Sequence, residues 1–485
     1  MTQDTSTKPR ACELPNIEQE FQGARFGDAR LSARQTALGT RLAATPGAGL
    51  PDCMGNDSQL DCAYRFLSNK RIRPQLMLAP HQRQTVERLA GRGEAVVAHD
   101  TTEMEFGGDR EGLGPLSSGR RQGFFLHLSL AIAADSSRQP LGVLEQYCWV
   151  RADSPRPRRN GRRLNGSDLR KIPDRESSRW AKQVRAVEAS KPEGVSLIHV
   201  ADRESDAFEM LEAVHGLRFV LRANHDRRVF DEGKPMHLHD ACESASTRLT
   251  FDVAVSPRKP EKQPGAAKAH PARAARVAHI AVSGRRLELR KPYLRSGPAL
   301  TVHVVHAREL DPPEGEAPID WWLYTSEPID TSEHLQRVID LYRARWVIEE
   351  FFKALKSGCD VQRLQLETYD ALRNAVVLQL PIAWHILLLR SLGRTHPDAP
   401  AEQALTTTQL DVLRVMGRRP LPPHPTVHDV MLAVAQLGGY LVTKAKGPPG
   451  WITLGRGMRR LLDYEQGWIA ARSELSKPRE DPSDH

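Results

Sequence analysis

Ala95-Val-Val-Ala-His-Asp100 is the stretch whose reading decides how this 485-residue chain folds. A short apolar run closed by a carboxylate predicts a buried strand. Two more strand-like runs follow, Phe124 to Ala134 and Leu141 to Trp149, and the three together predict an antiparallel meander. A helix from about Ser177 to Ala189 then leads to the apolar run Val195 to Val200, which ends at Asp202. The helix Ala207 to Val214 and the strand Arg218-Phe-Val-Leu-Arg222 complete a strand-helix-strand unit of the kind that pairs in parallel. The sum is a mixed α/β core.

Outward from that core the texture changes on both sides. Residues from about 15 to 90 read as helical, with stops at Pro46, Pro51 and Pro74. Within them Asp28 to Ala44 is amphipathic: Leu31, Leu38 and Leu42 share one side, while Arg30, Arg34 and Arg41 share another. Such an arginine stripe is either a solvated helix face or a track for phosphates. Downstream, Arg151 to Lys171 is arginine-rich and reads as an extended loop, and a strand-rich insertion spans roughly 228–325, interrupted by a Pro-, Lys- and Ala-rich loop from Pro257 to Arg276. A long helix, Thr331 to Lys356, follows, and the chain after about Asn374 is mainly helical. The expected organisation is a helical domain over 1–90, an α/β domain over 91–373 and a second helical domain over 374–485.

Composition narrows the function classes. The 69 basic residues outnumber the 60 acidic ones, a net +9 that attracts polyanions. Ala375 to Leu389 is the longest apolar stretch, but Gln379, Pro381 and His385 interrupt it, so it reads as a buried core helix and not a membrane span. The six cysteines, Cys12, Cys53, Cys62, Cys148, Cys242 and Cys359, are scattered singly, which fits a reducing compartment. The first residues lack an apolar signal core, so a cytoplasmic location is expected. No Gly-x-x-x-x-Gly-Lys loop is present, and ATP is not an expected substrate. His237, His239, Asp240 and Cys242 have no standard zinc spacing and read as the start of an exposed helix.

The chemistry concentrates on the helix after Asp330. At about 100° per residue, Leu335, Val338, Tyr342, Arg345, Glu349, Lys353 and Lys356 fall on one narrow stripe. Its first half is apolar, so its ionic second half should face the same interior, and charged side chains are rarely placed there without a partner or a purpose. The wheel puts Glu349, and not Glu350, on that stripe. Asp100 and Asp202, each ending an apolar strand, lie where ligand-handling residues emerge from α/β sheets. Three carboxylates from separate elements suit hard divalent ions such as Mg²⁺, a pair of which supports in-line phosphoryl transfer. Each aspartate alone would more often be a turn former or a helix cap.

His99-Asp100-Thr101-Thr102, Ala201-Asp202-Arg203-Glu204-Ser205-Asp206 and the series Tyr342, Arg345, Trp346, Glu349, Lys353, Lys356 resemble the Asp-Asp-Glu transposases of bacterial insertion sequences, within them the insertion-sequence-four family and its transposon-five branch. The similarity extends to Gly27-Asp28-Ala29-Arg30, Tyr64 to Asn69, Leu221 to Asp226 and Gly450-Trp451 with Leu454, Arg456 and Gly457. The resemblance implies a ribonuclease-H-like core with a strand insertion, an N-terminal domain that recognises transposon-end DNA, and a C-terminal domain that forms a homodimer. It implies Asp100, Asp202 and Glu349 as catalytic metal ligands for two Mg²⁺ ions, with Mn²⁺ a possible substitute. Tyr342, Arg345 and Lys356, with Lys353 beside them, would contact the DNA backbone, and Trp321 would stack on a flipped base, leaving Trp322 to packing. Arg30, Arg34 and Arg41 would be further DNA contacts. The implied reaction is cleavage through a hairpin followed by joining to target DNA, in a bacterial cytoplasm at the nucleoid. A nuclease without strand joining and a silent transposase-derived DNA-binding protein are the competing readings.

Overall fold

The computed structural model describes residues 14–117, 121–151, 158–159, 162–163, 176–243, 245–257, 272–291, 299–441 and 449–475. Along the chain come α1 (Ala29–Ala44), α2 (Leu50–Cys53), α3 (Asp57–Leu67) and α4 (Pro74–Leu89). Asp28 and Asn56 cap α1 and α3 by accepting the backbone N–H groups of Arg30 and Gln59, each at 3.0 Å. Pro74 opens α4 and does not merely stop its predecessor, because the first turn of a helix has no use for the missing N–H.

Strands β1 (Glu94–Glu105), β2 (Gly114–Pro115), β3 (Gln122–Ala133) and β4 (Pro140–Trp149) follow. Next come β5 (Arg158–Arg159), β6 (Arg162–Arg163), α5 (Ser178–Ser190), β7 (Ser196–Ala201), α6 (Phe208–Ala213) and β8 (Arg218–Arg222). The insertion consists of β9 (Arg228–Asp231), β10 (Lys234–His237), α7 (Leu238–Glu243), β11 (Leu249–Val255), β12 (Arg276–Leu289), β13 (Leu300–Leu310) and β14 (Asp320–Thr325). After it stand α8 (Ser332–Ala344), α9 (Trp346–Lys353), α10 (Tyr369–Leu378), α11 (Leu380–Thr395), α12 (Thr407–Met416), α13 (Val427–Leu437) and α14 (Trp451–Leu475).

The chain divides into two compact units. One comprises Met1–Gln84, Gly108–Gly112 and Glu349–His485; the other comprises Thr85–Gly107 and Leu113–Ile348. The second holds the sheet. Its strand order runs β10-β9-β12-β13-β14-β8-β7-β1-β3-β2, with β4 on β3 and β11 on β12. β1, β3 and β4 form the antiparallel meander, with irregularities in β3–β4 pairing between Ser129 and Leu130 and between Ala131 and Ile132. β7 lies parallel to both β1 and β8. The arrangement β4-β3-β1-β7-β8 is ribonuclease-H-like, and β14 extends the same sheet by pairing antiparallel with β8. Ala95, Val96, Val97 and Ala98 are all fully buried, as a strand covered on both faces requires.

Three expectations need correction. The Arg151 to Lys171 segment is not a plain loop, since Arg158–Arg159 pairs antiparallel with Arg162–Arg163; most of its other residues, Arg156 among them, lie outside the described ones, as do Cys12 and most of the Pro257 to Arg276 loop. β1 does not end at Asp100 but runs on to Glu105 alongside β3; only its parallel pairing with β7 ends there, at His99 and Ala201. Nor is Thr331 to Lys356 one uniform helix. Thr331 is the cap, accepting from the His334 N–H at 3.2 Å. The helix then tightens at Arg345, where Arg345 and Ile348 donate to the carbonyls three residues before them. It widens again into a π turn at Ala354–Gly358. A constant 100° step therefore fails before Lys356.

The helical unit buries its own core. The apolar stretch from Ala375 to Leu389 is split between α10 and α11 at Gln379, with Pro381 in the first turn of α11. Tyr369–Thr395 is long and apolar enough to cross a membrane, yet 89% of that apolar window is buried inside the fold. Asn374 on α10 donates to the Leu67 carbonyl at 2.8 Å, tying α3 to the C-terminal helices.

Candidate nucleic-acid cleavage site

Asp100 and Asp202 are brought together by strand register. His99 and Ala201 are paired across parallel β1 and β7, so the next residue along each strand is an aspartate. β7 leaves the sheet immediately afterwards into a turn, Arg203–Ser205, capped by Asp202, whose Oδ1 accepts the Glu204 N–H at 2.9 Å. The cap reading of Asp202 is thus correct in itself and compatible with a role for the rest of its carboxylate. Asp206 anchors the far side of the turn: it is buried, accepts the N–H groups of Asn224 and His225, and pairs with Arg227 at 2.6 Å.

Asp100 is buried, and Arg345 Nη1 donates to its Oδ2 at 2.7 Å. Arg345 is itself 6% exposed, so each charge has its counter-charge in a place where an isolated one would be costly. Trp346 follows it, 55% exposed, with the Arg345 guanidinium 5.3 Å from its ring centre. Tyr342 is buried, its hydroxyl pushed above the usual phenol range by that burial, with Arg345 and Arg222 working the other way. Trp321, half-buried, meets the Tyr342 ring edge-on at 5.2 Å. Trp322 is sandwiched by His306 and His239 and donates Nε1–H to Asp320 at 3.1 Å, which is packing as expected.

Asp100, Asp202, Tyr342, Arg345 and Trp321 therefore belong to one unit and one neighbourhood. Glu349, Lys353 and Lys356 belong to the other. Glu349 is half-buried in the first turn of α9, Lys353 is exposed, and Lys356 is half-buried in the π turn. Among the described residues no three His, Cys, Asp or Glu side chains form a group that could hold a metal ion. The donor chemistry of the two aspartates, hard oxygens side by side, fits a divalent cation.

The other face of β1 carries residues that the sequence reading missed. His99 Nε2 lies 2.9 Å from His199 Nδ1, and His199 Nε2 lies 3.0 Å from Glu188. Ser129 Oγ is 2.9 Å from His99 Nδ1 and donates to Gln183 at 2.6 Å, while His127 Nδ1 meets Thr101 Oγ1 at 2.8 Å. Burial, then His199 and His127, push the His99 imidazole well below its ordinary pKa; burial, then Arg179, does the same to His127. The available signal lay on β3, where His127 and Ser129 alternate with Leu126, Leu128 and Leu130.

The remaining basic candidates divide. Arg30 is exposed and paired with Asp28; Arg34 is half-buried; Arg41 is half-buried and donates to Gln59 Oε1. Arg151, at the head of the arginine-rich segment, is committed to Glu176, with Nε and Nη2 donating at 2.5 and 2.8 Å, and lies over the Phe125 ring. The His237 to Cys242 group is scaffold: His239 stacks on Trp322, and Cys242 is buried with its thiol pushed up to about 12.

Comparison with protein families gives three matches in series. Residues 16–72 match a model described as Transposase DNA-binding, residues 173–383 one described as Transposase DDE domain, and residues 381–477 one described as Transposase Tn5 dimerisation domain. The second match contains Asp202, Trp321, Tyr342, Arg345, Glu349, Lys353 and Lys356; Asp100 precedes it.

Proposed function

This chain belongs to the Tn5-like DDE transposases, and from that premise we propose that it cuts a mobile DNA element out at its ends and joins the freed 3′ ends to target DNA. The observation that carries this reading is the placement of Asp100 and Asp202 side by side, with Arg345, Tyr342 and Trp321 around them. Asp100, Asp202 and Glu349 would hold two divalent ions, Mg²⁺ or Mn²⁺, which supply Lewis-acid activation of the attacking oxygen and stabilisation of the leaving one.

The protein's own groups do the positioning. Arg345 offers a planar fork that matches a phosphate, and Lys356 and Lys353 add point charges. Buried Tyr342 keeps its hydroxyl proton and serves as a neutral donor. Trp321 supplies an indole face for a base turned out of the stack. In the proposed sequence a water oxygen displaces the 3′ oxygen of the end, leaving a 3′ hydroxyl. That hydroxyl displaces the opposite strand to form a hairpin, a second water reopens it, and the 3′ hydroxyl finally attacks a target phosphodiester. Each step exchanges one P–O bond for another, so no nucleotide triphosphate is consumed. Two copies of the chain would hold two ends, at the nucleoid of a bacterial cytoplasm.

The test is cleavage of end-containing DNA in Mg²⁺ by purified Asp202→Ala protein. Loss of cutting with end binding retained is expected; cutting at the wild-type rate would sink the assignment. Cleaved ends that never join target DNA would mark a nuclease, and binding without cleavage by the wild-type chain a silent derivative.

A further inference from the structure

Glu350 adjoins the proposed metal-binding Glu349 on α9 and points into a different environment. Arg394 Nη1 and Nη2 donate to its two carboxylate oxygens at 3.2 Å each, and Arg390 Nη1 stands 3.7 Å away. These arginines are four residues apart, one turn of α11, so they grip one carboxylate from a single helix face. Arg390 is largely buried, and burial holds its guanidinium below the usual range, partly offset by Glu350. Its other neighbour is Trp451, the first residue of α14, whose ring centre lies 4.3 Å from the guanidinium carbon. All four residues belong to the helical unit.

Buried Val347, Ile348, Phe351 and Phe352 set which face of the eight-residue α9 packs inward, while the fine rotation of its polar edge, between a tightened turn and a π turn, is left to polar contacts. A bidentate carboxylate–arginine pair does fix it, because the fork geometry tolerates little rotation. We propose that Glu350 is a positioning residue. Gripped by Arg394 and Arg390, it sets the rotation of α9 that presents Glu349, and through the Arg390–Trp451 stack this setting depends on the seating of α14. The segment matched to the dimerisation domain is thereby linked to the proposed metal carboxylate. The inference rests on Glu349 as a metal ligand, and its test separates the two claims.

The measurement is Mn²⁺ binding to the full chain on end DNA, followed by electron paramagnetic resonance of the free ion, alongside end cleavage and end-DNA affinity. Glu350→Gln and Arg394→Gln should each weaken Mn²⁺ binding by roughly ten-fold, the usual scale for residues that orient a metal ligand, with end-DNA affinity unchanged. Arg394 is half-exposed, so its substitution removes the grip without opening the core. The exchanged pair Glu350→Arg with Arg394→Glu should recover part of the loss, which a general loss of folding would not allow. Trp451→Ala should shift Mn²⁺ affinity in the same direction by less; no shift would remove the link to α14. Wild-type Mn²⁺ affinity in both Glu350→Gln and Arg394→Gln would overturn the clamp. If Glu349→Gln itself bound Mn²⁺ and cut DNA normally, the underlying site assignment would fail instead.

Discussion

The two faces of β1 hold polar residues in opposite ways. On one, Asp100 meets a full opposite charge, Arg345, beside the half-buried Asp202. On the other, His99, Thr101, His127, Ser129 and His199 bond to one another and to Gln183 and Glu188. The first face keeps charges in place; the second holds its deepest imidazoles neutral by burial and meets a carboxylate only at its edge, where His199 reaches Glu188. A polar residue's partners, more than its type, separate a reacting surface from a scaffold.

The largest effects should come from breaking the charged face. Arg345→Ala strands the Asp100 carboxylate in the interior, which should cost about 3 kcal/mol of stability and abolish end cleavage. Asp100→Asn is the sharper probe. Its amide oxygen still accepts from Arg345, so chemical denaturation should show a smaller loss, while cleavage in Mg²⁺ should disappear as completely. Normal cutting by Asp100→Asn would place this face with the scaffold.

How far the site could be read in advance follows from the same contrast. Asp100 and Asp202 were legible because each closes an apolar run, and their adjacency follows once β1 and β7 pair in parallel. The continuation of β1 to Glu105 was not, because its residues past Asp100 are polar apart from Met104 and only the partner β3 shows that they are strand. The stripe from Leu335 to Arg345 was legible from helical periodicity. Its extension to Lys356 was not, because a π turn changes the angular step without any marker in composition. The histidine layer escaped notice for a different reason: its members come from β1, β3 and β7 and have no common spacing in the sequence. Arg222, beside the Tyr342 hydroxyl, closes a strand already recognised, and a charge at that end of the sheet was the missed sign.

The neutral face should respond in stability without a change in chemistry. His99→Leu leaves Ser129 and His199 each short of a buried partner, an expected cost of about 2 to 4 kcal/mol in denaturation midpoints. Cleavage per folded molecule should stay at the wild-type level. The same layer predicts a pH response. His99 and His127 titrate lower in the folded chain than in the unfolded one, so the unfolded state takes up more protons as the medium is acidified. Their contribution is intact above about pH 6.5 and is lost progressively below it. Glu145 and Glu204, whose carboxyls burial pushes upward, act with the opposite sign at lower pH. Thermal midpoints should therefore fall from about pH 7 to about pH 5.5, and less steeply in His99→Leu. An equal slope in both proteins would mean that the layer is not what titrates.

The smallest effect carries the contrast to α1, where Arg30 and Arg41 share a helix side but not a situation. Arg41 is spent on Gln59, whose Oε1 also accepts the Gly55 N–H, so it braces α1 against the start of α3. Among the described residues Arg30 reaches only Asp28, and it is 90% exposed, so its charge stays available to a phosphate. Arg30→Ala should lower the slope of log affinity for end DNA against log salt by about one, the signature of one lost phosphate contact, and leave the thermal midpoint unchanged. Arg41→Ala should do the reverse, lowering the midpoint with little change in slope. Equal slopes for Arg30→Ala and wild type would show that the exposed arginine, like the half-buried Arg41, serves the helix and not the DNA.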